Sequence, residues 1–167
     1  MVDEKKFELP EDQIIIGERE FELAINEVIS RAQHEILIFG NQLSKGGYAS
    51  ITRHEILREF LSRGSPVSLQ IILHEIDDFS QQYPRLFSLL QDYTHLMTVY
   101  QTNDQAKVAK DAFIIVDQSH YVRRFHMEQA RFRYAFNDLE TVAMLKMRFD
   151  ELLESTSHKL SSSSLGL

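Results

Sequence analysis

Cysteine is absent from the 167 residues, which excludes disulfides and thiolate metal sites and removes any sign of an oxidising compartment. Long apolar runs are absent too: no stretch approaches the roughly 18 apolar residues that a membrane span requires. The first residues, Met1-Val2-Asp3-Glu4-Lys5-Lys6, lead into acidic positions where a secretory signal would have an apolar core, so the expected location is cytoplasmic. Positive charge is in deficit. A net charge of -7 argues against a surface that coats nucleic acid broadly, although it leaves room for a local basic patch. Common reaction motifs are also missing. Gly46-Gly47 lacks the Lys-Ser or Lys-Thr of a phosphate-binding loop, His54-Glu55 lacks the second histidine of a zinc-protease helix, and no Gly-x-Ser-x-Gly elbow occurs. There is no internal repeat.

What is present suits one compact domain: 43% of residues are hydrophobic and 10% aromatic, enough for an unaided core. Phe21, Ala24, Ile25, Val28 and Ala32 recur at helical spacing, so residues 18–33 read as an amphipathic helix, and the apolar run 35–40 as a buried strand. Thr52 and Glu55 form a capping box that starts a second helix, whose buried stripe is Ile56, Leu57, Phe60 and Leu61. A strand over 67–73, a helix over 80–93 with Pro84 in its first turn, and a strand over 96–100 follow. The rhythm then changes to consecutive strands over 112–116, 121–126 and 129–136. Asn137-Asp138 caps a closing helix with Val142, Leu145, Phe149 and Leu152 on its buried face. Parallel strands joined by helices, then a meander and a last helix, predict an α/β sandwich. The Ser-rich residues 155–167 are expected to form a disordered tail, residues 1–13 an N-terminal extension and residues 14–154 the domain proper.

The segment Ala112-Phe113-Ile114-Ile115-Val116-Asp117, with Tyr121-Val122-Arg123-Arg124 and Phe136-Asn137-Asp138, carries a resemblance. It is similar to small bacterial phospholipase D-like domains, over roughly residues 14–154. In that family a His-x-Lys, four residues and an Asp are followed by a Gly-Ser pair. Anchored on Asp117, the histidine position holds Lys110, the lysine position Ala112, and the Gly-Ser positions Arg124-Phe125. Only the aspartate survives. The resemblance therefore implies the family's fold, with a mixed sheet flanked by helices, but without the histidine that forms the phosphoenzyme or the lysine that holds the phosphate. A lysine ammonium, protonated at neutral pH unless strongly desolvated, does not replace that histidine. No catalytic residue, cofactor or metal is assigned.

Strand alternation places Val122, Arg124 and His126 on one face and Tyr121, Arg123 and Phe125 on the other. Two readings stay open for Arg124: a phosphate or carboxylate ligand in the vacated pocket, or a structural ion pair with a carboxylate such as Asp117. His126 reads either as a hydrogen-bonded structural residue or as a ligand contact. Arg123, Asp117, Lys110 and His74 complete the candidate ligand-binding set. His74 leads the loop Glu75-Asp77-Asp78 at a strand end, expected to border the pocket. Arg131 and Arg133 alternate with Phe132, Tyr134 and Phe136. That pattern serves single-stranded nucleic acid in some proteins, but here it reads as a half-buried strand with the aromatics in the core. The expected function is a non-catalytic domain that binds a phosphate-containing ligand or a protein partner, with a homodimer as its assembly because one chain holds one motif copy. A residual phosphodiesterase with a rearranged site, or a purely structural dimerisation module, are the alternatives.

Overall fold

A computed structural model describes residues 8–163. Its centre is an eight-stranded mixed sheet. In chain order come β1 (Ile15–Ile16), α1 (Glu18–Ser30), β2 (Glu35–Gly40), α2 (Ile51–Ser62), β3 (Ser68–Leu73), α3 (Phe79–Gln82), α4 (Pro84–Asp92) and β4 (Met97–Thr102). A 3-10 turn (Asp104–Val108), β5 (Ala112–Val116), β6 (His120–His126), β7 (Gln129–Ala135), α5 (Leu139–Glu154) and β8 (Thr156–Lys159) complete the chain. Across the sheet the strands run β1-β7-β6-β5-β2-β3-β4-β8. β2, β3 and β4 are parallel, linked by helices, while β5, β6 and β7 form the antiparallel meander.

Alternation along each strand divides the core into two layers. In β2, Ile36 and Ile38 join α1, α2 and α4 residues such as Ile25, Leu57 and Leu86 on one side of the sheet. Leu37 and Phe39 join Val142, Leu145 and Phe149 of α5 on the other. This double burial is why residues 36–40 are apolar throughout rather than alternating.

Three local expectations need correction. The cap of α2 is Ser50, whose Oγ accepts from the Arg53 amide, and not Thr52, because the preceding glycine turn lets the helix begin at Ile51. The predicted helix over 80–93 is split at Tyr83, since Pro84 has no amide to continue α3 and instead opens α4 at its first position. Residues 156–159 are not a disordered tail: they add β8 to the sheet edge, antiparallel to β4. The Ser-rich composition hides this because ladder pairing uses the backbone, not the side chains. Residues 1–7 and 164–167 lie outside the described part.

Candidate functional site

Asp117, the one retained motif residue, opens the three-residue turn Asp117-Gln118-Ser119 between β5 and β6. Its first two residues, Asp117 (φ 53°) and Gln118 (φ 52°), are left-handed, as a tight hairpin requires, and the Ser119 amide closes the turn on the Val116 carbonyl. The Asp117 carboxylate accepts three backbone amides, from Gln33 (2.9 Å), His34 (2.8 Å) and Glu35 (2.9 Å), and so ties the hairpin to the chain entering β2. Lys110 lies beyond the opposite end of β5. Asp117→Ala is expected to lower stability by about 1–2 kcal/mol, since part of this network can be replaced by water, and a denaturant titration measures it.

Arg124 shows the largest departure from a vacant phosphate pocket. It faces Ala112 across the β5–β6 ladder and is 1% exposed. Its Nη1 lies 2.6 Å from Glu18 Oε1 in the first turn of α1, a charge contact whose angle is off hydrogen-bond geometry. Nε donates to the His126 carbonyl (3.2 Å), Nη2 donates to the Met127 carbonyl (2.8 Å), and the guanidinium stands 5.1 Å from the Phe21 ring centroid. The arginine thus makes an ion pair, but with Glu18 rather than Asp117: the latter is at the far end of the strand with its oxygens already engaged. His126 Nδ1 accepts from the Glu128 amide and shapes the β6–β7 hairpin.

The other candidates lie on the α5 side of the sheet. His74 is buried at the end of β3, with Nδ1 2.8 Å from Thr102 Oγ1 and Nε2 2.7 Å from the Ala109 carbonyl. A carbonyl only accepts, so Nε2 carries the proton and Nδ1 accepts from the hydroxyl. Burial holds the His74 pKa below its ordinary value, and the charges of Lys110 and Lys107 add to this, against the Ala109 hydrogen bond and Asp111. Lys110 itself is exposed, its Nζ donating to the Lys107 carbonyl at 3.2 Å. Arg123 pairs with buried Asp111 at 3.2 Å, and Asp111 also takes a two-pronged contact from Arg148 at 2.5 and 2.8 Å. Asp111 and Arg148 escape the sequence reading because their meeting depends on how α5 crosses the sheet.

The six candidates therefore do not converge. Arg124 and His126 serve the β6–β7 hairpin and α1, Arg123 faces the other side, Asp117 lies at the opposite strand end, and only His74 and Lys110 are near neighbours. An open groove of about 260 Å³ runs between the 3-10 turn and α5, lined by Ala106, Val108, Arg148 and Glu151. Arg148 is committed to Asp111 there, and Glu151 adds negative charge. No group of three or more metal-ligating side chains occurs among the described residues. Phe132 and Tyr134 lie in the core, Phe136 is half-buried, Arg131 is exposed and Arg133 half-buried.

Comparison with known proteins places this architecture. No curated protein matches the chain in sequence. Among solved structures, it is similar to the archaeal chromatin protein TrmBL2, described as showing a novel mode of DNA binding (TM-score 0.64, 15% identity). That match covers 92% of this chain but 56% of TrmBL2, so the chain spans little more than half of that protein. It is also similar to Nuc, a phospholipase D family member from Salmonella typhimurium (TM-score 0.61, 12% identity, 87% of this chain and 96% of Nuc). NucT from Helicobacter pylori gives a TM-score of 0.57 at 18% identity, over 86% of this chain and 96% of NucT. At these identities the likeness shows the fold, which is that of phospholipase D. The model of one family, described as a domain of unknown function (DUF7931), matches residues 18–162, and the chain belongs to that family on a phospholipase D-like fold.

Proposed function

We propose that this domain has lost the phosphodiesterase reaction of the phospholipase D family and works by binding a protein partner, assembled as a homodimer. The observation that carries this reading is the Arg124–Glu18 pair facing Ala112. By the family resemblance this is where a phosphate would be held, and a carboxylate 2.6 Å from the guanidinium both neutralises that cation and repels an incoming phosphate. At the nucleophile position, Lys110 is an exposed lysine bound to a carbonyl, and its neighbour His74 has both ring nitrogens engaged, by Thr102 and the Ala109 carbonyl, so it is not free to take a proton from the ammonium. A protein partner fits these features better than a phosphate-containing ligand. Nucleic acid, which the TrmBL2 likeness brings into consideration, must approach a chain of net charge -7.

Incubation with bis-p-nitrophenyl phosphate tests the first part: no release of nitrophenol above background is expected. Turnover that disappears in Lys110→Ala or His126→Ala would overturn it. Thermal unfolding in phosphate tests the second part, because a ligand that binds only the native state raises the melting temperature. The expected result is equal melting of the wild type and Lys110→Ala across phosphate concentrations. A rise in the wild type that Lys110→Ala abolishes would reinstate the phosphate-containing ligand.

A further inference from the structure

The two faces of the sheet are covered unequally. α1, α2 and α4 contribute to the core on one side, whereas on the other α5 packs mainly on β4, β5 and β6. On β6 and β7 that cover reaches Tyr121 and Ala135, which are buried, and leaves the strand parts around Arg123, Arg133 and Arg131, together with β1, less covered on that second face. Strand pairing sets Arg123 opposite Arg133 and Ile16 opposite Arg131. All four lie on the α5 side, because their strand neighbours Val122, Phe132, Tyr134 and Ile15 pack into the opposite core.

This open strip is chemically unfinished. Ile16 is 72% exposed. Two like charges directly opposite each other on neighbouring strands destabilise a sheet, and Arg123 has only a shared carboxylate, Asp111, to offset this. Among the described residues no carboxylate lies within ion-pairing distance of Arg131 or Arg133, and the Arg133 Nε is buried without an acceptor.

The complement is on the same chain. α5 buries Val142, Leu145, Phe149 and Leu152, and on its back Glu140, Met144, Met147 and Glu151 fall at i, i+4, i+7 and i+11, all exposed. Met144 and Met147 are 64% and 66% exposed, unusual for large apolar side chains so close together. We propose that the basic, apolar strip of Arg131, Arg133 and Ile16 is the docking surface for the acidic, apolar back of α5 from a second copy of this chain. Both surfaces lie on the same side of one sheet, so a twofold axis makes the contact reciprocal: each α5 sits on its own sheet by its inner stripe and covers the other copy's open strands by its outer one. The glutamates meet the arginines, and the methionines meet the isoleucine. A nucleic acid would use the arginines but leave the exposed isoleucine and both methionines without a role.

This inference rests on the homodimer reading and names its interface. Sedimentation or light scattering of the full chain is expected to give twice the 19.5 kDa chain mass at tens of micromolar. The double variants Arg131→Glu/Arg133→Glu and Glu140→Arg/Glu151→Arg are each expected to weaken self-association by about tenfold or more. Mixed in equal amounts they should regain a dimer, since each interface of the mixed pair again joins opposite charges, and that recovery also shows both variants are folded. A wild type that stays at the monomer mass overturns the homodimer and this interface together. A wild-type dimer that either double variant leaves intact, or two monomeric variants that fail to recover on mixing, overturns this interface while sparing the homodimer.

Discussion

Arg124→Ala is expected to destabilise the domain by about 3 kcal/mol, read as a fall in the urea midpoint at unchanged slope. Three things are lost at once: the ion pair with Glu18, the donors for the His126 and Met127 carbonyls, and the guanidinium that packs against Phe21. Glu18 is half-exposed, so water can solvate its stranded charge, which holds the cost toward the low end for a broken buried pair. Arg124→Lys should fall between, as one ammonium cannot reach all three acceptors. Glu18→Ala isolates the other partner. It frees the guanidinium, so sulfate should stabilise Glu18→Ala more than the wild type. A near-neutral Arg124→Ala would mean that the arginine is not structural, and an equal sulfate response in both proteins would mean that Glu18 does not guard it.

The second large effect is a two-step loss of stability in acid. Burial pushes the Asp111 carboxyl up, but the hydrogen bonds and charges of Arg148 and Arg123 together outweigh it and hold the carboxyl below its ordinary value. A carboxyl depressed in the folded state stabilises it above the unfolded value, about 3.9, and this contribution disappears as pH falls through the lower folded value. His74 and His120 act earlier. Burial lowers both pKa values in the folded protein, with Lys110 and Lys107 adding to this at His74 and Arg31 at His120. The unfolded chain therefore takes up protons near about pH 6.5 that the folded chain refuses, and stability falls as pH drops through that region. Denaturant titrations from neutral pH downward should show a decline around pH 6 and a second one below about 4. Asp111→Asn should remove the acid step and, by leaving Arg123 and Arg148 side by side, cost about 2 kcal/mol at neutral pH. His74→Gln should shrink only the upper step. A flat profile from neutral to mildly acidic pH would contradict the buried neutral histidine.

Periodicity by itself determined the succession of elements. Helical spacing marks α1 and α5, uninterrupted apolar runs mark β2 and β5, and alternation marks β6 and β7, because each pattern records which faces are covered. The same alternation separates Arg123 from Arg124, and the substitutions at Lys110 and Ala112 are visible as a motif emptied of its reactive side chains. β1 and β8 are not legible: two and four residues long at the sheet edges, they are held by backbone pairing that side chains barely register. The partners of charged groups are likewise beyond reach. Glu18 meets Arg124, and Arg148 meets Asp111, only because α1 and α5 cross the sheet at particular places. Of the two readings open for Arg124, the ion pair holds with Glu18 in place of Asp117, which collects the amides entering β2, since a strand separates the two ends of its motif. Local patterns specify which side of an element is buried. Which charges meet, and which strip of sheet stays open, is decided by tertiary packing, because those distances depend on segments far apart in the chain.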